Sequence, residues 1–117
     1  MRVVNGKYTL RDWDKGKDWP PTMFNVGRFT LEYENKQVGA ASGTVDTLMG
    51  IEVKPTDSGH GTVFLEMLMQ VAESFGATKF RVEGVLGDTR RDKEKLEHIL
   101  SKLGFNKTDN ETWEKTL

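Results

Sequence analysis

The sequence predicts an α/β protein of the α+β kind, in which two helices cover a mixed, mostly antiparallel central sheet. Three observations predict this class. Residues 29–54 alternate between apolar and polar side chains, as strands with one buried face do. Residues 62–75 and 92–103 instead repeat apolar side chains at helical spacing, and each segment is followed by glycine. A strand is expected on either side of the first helix, which predicts one parallel β-α-β unit.

The N-terminal half reads as a series of strands. β-forming residues flank Asn5-Gly6, a dipeptide that favours a two-residue hairpin turn, and residues 11–21 are rich enough in charge, glycine and proline to predict a loop. Two antiparallel strands follow, with a polar turn at Asn35-Lys36. A further extended segment ends at Pro55, and Gly50 within it indicates a bulge or a close backbone approach.

The C-terminal half contains both predicted helices. The first covers residues 62–75 and is followed by a strand over residues 77–86. The second begins at Asp92, whose side chain is expected to cap it, and ends at Gly104. Two short strands with a turn at Asp109-Asn110 complete the chain. No repeat or linker interrupts this order, so we expect a single domain over residues 1–117.

Composition excludes several classes of function. The formal net charge is -1, so a general nucleic-acid binder with a broad basic surface is not expected. The absence of cysteine excludes disulfides, thiolate nucleophiles and the usual structural zinc sites, and we expect no metal. No apolar run approaches the ~20 residues that cross a bilayer, and the N-terminus is too polar for a signal peptide. We therefore expect a soluble, cytoplasmic protein without a membrane partner.

The segment "PTDSGHGTV", residues 55–63, places two glycines where a strand is followed by a helix. Such a turn directs backbone N–H groups at the helix N-terminus toward a bound anion such as phosphate. A Gly-x-Gly turn before a helix is more often a plain connection between two elements. It is neither a Walker loop nor a dinucleotide fingerprint, because it has no Gly-Lys-Ser/Thr ending and no third glycine.

The wider pattern resembles the GCN5-related N-acetyltransferase (GNAT) family. That family has a strand ending in Val-x-Pro, a pyrophosphate loop Arg/Gln-x-x-Gly-x-Gly/Ala, a long helix, a strand, and a helix ending in Gly-Phe. Val53 and Pro55 match the strand ending, Gly61 the central loop glycine, and Gly104-Phe105 the closing pair. The resemblance covers the chain from Phe29 to its C-terminus. It implies a GNAT-like fold with an acetyl-CoA-binding core over residues 29–117.

The chain also departs from the family pattern. Ser58 stands where arginine or glutamine is expected, and Val63 where glycine or alanine is expected. Leu100 stands where many members have a tyrosine general acid. Residues 1–28 form a divergent N-terminal strand and loop, shorter than the two helices that commonly form the wall of the acceptor site.

The resemblance implies transfer of an acetyl group from acetyl-CoA to an amine by direct attack in a ternary complex. The amides of pantetheine would form hydrogen bonds with the backbone of the strand that ends in Val-x-Pro, near its C-terminal end. The diphosphate would lie on the glycine loop. These segments give the following cofactor-binding candidates: Ile51, Glu52, Val53, Ser58, Gly59, His60, Gly61, Thr62 and Val63.

An amine attacks only in its unprotonated form, so a base or a water chain must accept its proton. Glu52 and Glu83 are the candidate bases, one on each strand of the parallel pair, although a carboxylate on such a sheet is commonly just solvent-facing. His60 is either a phosphate contact or an exposed loop histidine without a role. The expected partner is a small-molecule or protein amine acceptor, and a homodimer is possible. The alternative function is a binding or regulatory protein that keeps the scaffold without the chemistry.

Overall fold

The computed structural model of the protein describes residues 2–12, 27–54, 59–83, 90–109 and 111–117. In these ranges no helix is long and apolar enough to cross a membrane. Most of the loop predicted over residues 11–21 lies outside them. The described elements, in chain order, are β1 (Arg2–Asn5), β2 (Tyr8–Asp12), β3 (Gly27–Tyr33), β4 (Lys36–Gly43), β5 (Thr47–Val53), α1 (His60–Ser74), β6 (Lys79–Glu83), α2 (Arg90–Lys102), β7 (Asn106–Lys107) and β8 (Thr112–Thr116).

The strands form one eight-stranded sheet in the order β1-β2-β3-β4-β5-β6-β8-β7. β5 and β6 run parallel, and the other neighbouring pairs in the described part of the sheet are antiparallel. α1 connects the two parallel strands, as the β-α-β pattern predicted. The predicted mixed sheet with one parallel pair and two helices is therefore confirmed.

Both helices pack on the same face of the sheet, where the core lies. α1 contacts β4, β5 and α2. Phe64 of α1 and Leu100 of α2 are fully buried, and Phe80 on β6 stacks edge-on against Phe105. Trp113 on β8 is also buried in this core. The apolar stripe read from the sequence of each helix is therefore buried or partly buried, except for Phe75 just after α1, half of which is exposed.

The first hairpin turn lies one residue beyond its predicted position. Asn5 pairs with Tyr8, so the two turn residues are Gly6 and Lys7. Only Gly6 has a positive φ, of 61°. A positive φ at the first turn position alone fits the type II′ turn that glycine favours there.

The turn between β3 and β4 is also shifted by one residue, toward the N-terminus. Tyr33 pairs with Lys36, so the turn residues are Glu34 and Asn35, with φ values of 49° and 67°. Positive φ at both positions is the type I′ geometry that matches the twist of a hairpin. Asn35 accepts this conformation readily, whereas Glu34 is held in it by the strands on either side.

The ends of α2 agree only partly with the prediction. α2 begins at Arg90, so Asp92 is its third residue and is not the cap. Arginine is a good helix former, which allows the helix to start before the acid, and an acid in the first turn still favours the helix dipole. Gly104 has a φ of 91° and ends the helix as predicted.

The C-terminal strands form a hairpin as predicted. Asp109 Oδ1 accepts a hydrogen bond of 2.9 Å from the Glu111 backbone N–H, which closes the turn between β7 and β8. β8 pairs with β6 over its whole length. The C-terminal hairpin therefore completes the sheet on the side of β6 away from β5.

Candidate functional site

Within the described residues, the parallel strands β5 and β6 are paired along only part of β5. Their described pairing consists of Thr47 with Arg81 and Leu48 with Val82, although β5 continues to Val53 and β6 to Glu83. The part of β5 without a described partner on this side lies at its carboxyl end, and open α/β sheets bind ligands at the carboxyl ends of their strands. We use the word slot for the side of β5 that faces away from β4 between Gly50 and Val53.

A β-bulge on β5 lies at the start of this slot. Ser42 on β4 pairs with Gly50, but the next residue, Gly43, pairs with Leu48, which leaves Met49 as the extra residue. The bulge predicted near Gly50 is therefore confirmed, one residue earlier. Because of it, Leu48 and Ile51 lie on the same face of the sheet although they are three residues apart.

The backbone of Ile51 and Val53 points into the slot. The Lys54 N–H donates a 2.8 Å hydrogen bond to the Val38 carbonyl on β4, so backbone groups at Lys54 face β4. Because this direction alternates along a strand, the N–H and C=O groups of Ile51 and Val53 face the opposite side, toward β6. Within the described residues they have no strand partner there.

The N-terminus of α1 lies at the same end of the sheet. Gly59 is the N-cap, with a φ of 83°, and no side chain caps the helix. The first turn contains no acidic residue, and among the described residues the amides of His60, Gly61 and Thr62 have no acceptor. Amides that lack an acceptor, in a first turn without an acidic residue, are suited to an anion.

The two glycines of the turn have different structural roles. Gly59 is needed for its positive φ, and the space where a Cβ would lie is open. A Cβ on Gly61 would instead lie 3.4 Å from Ile99 Cδ1 and 3.7 Å from Val53 Cγ2. Both are van der Waals contact distances, so Gly61 faces α2 and β5 and a larger side chain there would meet Ile99. Ser58 lies outside the described residues, and Thr62 and Val63 are partly buried in the first turn of α1.

His60 is neither a loop residue nor exposed. It is the first residue of α1 and only 7% of its surface is accessible. Its Nδ1 lies 2.9 Å from the Tyr8 hydroxyl, and its ring packs against Tyr8 and Tyr33 at centroid distances of 5.6 and 5.1 Å. The expectation of an exposed histidine is wrong because the ring turns inward to these aromatic side chains.

Glu52 and Glu83 lie on the sheet face opposite to the helices. Glu52 pairs across the sheet with Ala40, while its neighbours Ile51 and Val53 face α1. Each carboxylate makes an exposed ion pair on its own strand, Glu52 with Lys54 at 3.2 Å and Glu83 with Arg81 at 3.4 Å. Such pairs contribute little and exchange readily, so both carboxylates are accessible from the open face.

Leu100, at the position of the family tyrosine, is fully buried in the core. Tyr8 and Tyr33 were missed by sequence reasoning. They lie far from the glycine turn in the sequence, and no local pattern connects them with it. Burial and then the charge of Tyr33 raise the pKa of the Tyr8 phenol, so its hydroxyl stays protonated and can donate.

No protein-family model and no curated protein matches this chain. It is similar to the solved structure of a putative N-acetyltransferase, YhhK from E. coli, bound to coenzyme A, with 16% identity, a TM-score of 0.70 and coverage of 95% of this chain and 99% of that chain. It is also similar to a GNAT family acetyltransferase from Elizabethkingia anophelis with acetyl-CoA bound, with 14% identity, a TM-score of 0.68 and coverage of 97% and 100%.

A third similar structure is a GCN5-related N-acetyltransferase from Rhodopseudomonas palustris, with 20% identity and a TM-score of 0.62 over 79% of this chain. This chain spans 62% of the length of that one. At such identities the likeness shows the fold alone. It agrees with the observed strand order, the single parallel pair and the helix between its strands. The chain therefore has the fold of the GCN5-related N-acetyltransferases.

Proposed function

We propose that the protein is an acetyl-CoA-dependent N-acetyltransferase that transfers an acetyl group to an amine by direct attack. The observation that carries this proposal is that the unpaired side of β5 lies at the same end of the sheet as the N-terminus of α1, where the described residues provide no acceptor for the first-turn amides. The slot suits a narrow chain with amides, and the helix N-terminus suits a diphosphate. Similar structures that hold coenzyme A or acetyl-CoA support the same ligand.

In this proposal the backbone makes most of the contacts. The inward-facing groups of Ile51 and Val53 pair with the amides of pantetheine as an added strand does. A β5 N–H donates to the thioester oxygen as negative charge develops there. The first-turn amides of His60, Gly61 and Thr62, with the hydroxyls of Ser58 and Thr62, hold the diphosphate, whereas the Val63 N–H is bonded to the Gly59 carbonyl. Positioning of the two substrates then supplies much of the rate.

The acceptor amine approaches from the open face of the sheet, because the helices cover the other face. Glu52 and Glu83 are on this open face, one on each side of the slot. Either carboxylate, or a water held by it, accepts the proton that the amine must lose. Leu100 supplies no acid, so the proton that the departing thiolate takes up comes from water.

The alternative is a GNAT-like binding or regulatory protein without catalytic activity. The apolar Leu100 in place of the tyrosine favours it. Coenzyme A can bind in the slot under either function. Binding and turnover must therefore be measured separately. Release of free CoA that depends on an added amine supports the enzyme, whereas binding without turnover across polyamines, small amines and lysine peptides supports the alternative.

Calorimetric titration with acetyl-CoA and CoA tests the site, and Thr62→Glu tests its position. The new carboxylate lies in the first turn of α1, beside the proposed diphosphate, and should cost about 2 kcal/mol of binding, roughly 30-fold in Kd. Folding should not suffer, because an acid in the first turn favours the helix dipole. Thr62 is a better target than Gly61, where a side chain meets Ile99.

Gln70→Glu is the matched control. It adds the same charge at an exposed position of the same helix, more than two turns away from the site. It should leave the affinity within about twofold of wild type, because exposed charges at that distance are screened. Absence of acetyl-CoA binding by the wild-type protein, or equal binding by Thr62→Glu, would contradict the proposed site.

A further inference from the structure

Three aromatic rings meet at the start of α1. The rings of Tyr8 on β2 and Tyr33 on β3 lie 4.8 Å apart, and the His60 ring packs against both. We call these residues the Tyr8–Tyr33–His60 cluster. It joins the first residue of α1 to the ends of two neighbouring strands, at the end of the sheet where the slot opens.

One hydrogen bond in this cluster fixes the direction of the His60 side chain. The Tyr8 hydroxyl and His60 Nδ1 are 2.9 Å apart, across 52 residues of sequence. The bond is partly buried, so water competes with it less than at the surface. The Tyr33 hydroxyl has no such bond to any described residue, so Tyr33 contributes its ring alone.

This contact replaces a helix cap. Most helices begin with a side chain that accepts a hydrogen bond from the first turn, but the N-cap here is Gly59, which has none. A cap of that kind would also occupy the amides that an anion needs. Fixing α1 by the side chain of its first residue uses none of those amides, and no described residue accepts a hydrogen bond from them.

The strand ends that hold His60 are themselves joined. The Glu34 N–H donates a 3.0 Å hydrogen bond to the Lys7 carbonyl, which connects the two hairpin turns. Lys7 Nζ and Glu34 Oε1 also form an ion pair at 3.0 Å. Tyr8 and Tyr33, each next to one of these turns, are therefore presented as one surface against His60.

We propose that Tyr8 is a positioning residue for diphosphate binding, which it serves by holding His60 and hence the first-turn amides of α1 in place. The inference rests on the proposed function, because it concerns the same anion site. Tyr8 touches neither substrate. Its effect should therefore be confined to ligands that carry a diphosphate, since displacement of an oriented group by a fraction of an ångström weakens the contacts it makes.

Tyr8→Phe removes the hydroxyl and keeps the ring, and Tyr33→Phe is the matched control. We expect Tyr8→Phe to weaken CoA binding about fivefold, the effect of losing one partly buried hydrogen bond. Tyr33→Phe should stay within about twofold. Pantetheine, which has no diphosphate, should raise the melting temperature of wild type and Tyr8→Phe by equal amounts at millimolar concentration. A purely structural role would weaken both ligands together.

His60 variants give a second readout. In His60→Asn the side-chain amide lies near the position of Nδ1 and should restore most of the CoA affinity that His60→Ala loses. Equal CoA binding by wild type and Tyr8→Phe, or equal loss of CoA and pantetheine, would overturn the positioning role while leaving the proposed function standing. Failure of the wild-type protein to bind CoA would overturn both.

Discussion

Gly39→Ala tests whether the contact between α1 and the sheet sets the geometry of the slot. Gly39 on β4 pairs with Val53 at the end of β5, and Phe64 of α1 packs directly over it. A Cβ on Gly39 would lie 2.9 Å from both Phe64 Cδ2 and Cε2, about 0.6 Å inside the ~3.5 Å at which two carbons are in contact. It would also lie 3.2 Å from the Glu52 carbonyl oxygen, so the strand cannot move to relieve it.

The expected cost follows from this overlap. Overpacking by one methyl group in a rigid core costs about 1–3 kcal/mol, which corresponds to a fall of about 4–12 °C in the melting temperature of a domain of this size. Because Phe64 must move away from β4, the N-terminus of α1 should move with it, and acetyl-CoA affinity should fall as well. Calorimetric unfolding and titration measure the two effects.

Two further variants test whether the overlap between a Gly39 Cβ and the Phe64 ring causes this loss of stability. Gly50→Ala is the control, because a Cβ there would meet only Ser42 Oγ at 3.4 Å, and it should change the free energy of unfolding by about 0.5 kcal/mol or less. Phe64→Leu leaves room for the new methyl group, so the double variant should be about 1 kcal/mol more stable than the sum of the single changes predicts. Strict additivity of Gly39→Ala and Phe64→Leu would show that the ring and the methyl group do not compete.

The remaining predictions concern the bulge, the C-terminal turn and the open face. Gly43→Ala should destabilise more than Gly39→Ala, because its Cβ would overlap the backbone carbonyl of Thr47, which cannot rotate away. A backbone hydrogen bond lowers the pKa of Asp109, so its contribution to stability is present above the unfolded value near 3.8 and lost as pH falls through the folded value. The melting temperature difference between wild type and Asp109→Ala should therefore disappear in acid, while Asp109→Asn, which keeps the acceptor oxygen, should show a smaller difference at neutral pH. Glu52→Gln or Glu83→Gln should lower kcat by about 10²-fold if that carboxylate accepts the amine proton, with acetyl-CoA affinity unchanged; normal kcat in both variants would leave the role to water.

Elements with a strong local signal were predictable from the sequence. The repeat of apolar residues over residues 62–75 and the following glycine fixed α1 to within two residues at its start and one at its end. The two N-terminal hairpins were found, but their turns were misplaced by one residue. Asn5-Gly6 and Asn35 are residue types that favour turns. The register of the paired strands, however, decides which two residues form each turn.

The features that shape the candidate site could be predicted only in part from the sequence. Gly50 signalled a bulge, but the sequence does not show that Met49 is the extra residue or that Glu52 consequently faces away from α1. The contact between Tyr8 and His60 joins residues with no common sequence pattern. Long-range contacts of this kind depend on sheet order, which local patterns do not contain.

The extra residue in β5 divides that strand into two segments whose side-chain phases differ. Before Met49, the alternation of side chains places Leu48 in the core. After Met49 the alternation is shifted by one residue, so Ile51 and Val53 face the core and Glu52 faces solvent. Deleting Met49 would leave Leu48 and Ile51 two residues apart, so both would still face the core and only the bulge would be lost. The bulge thus changes the course of the β5 backbone at Met49 without changing which side chains after it face the core.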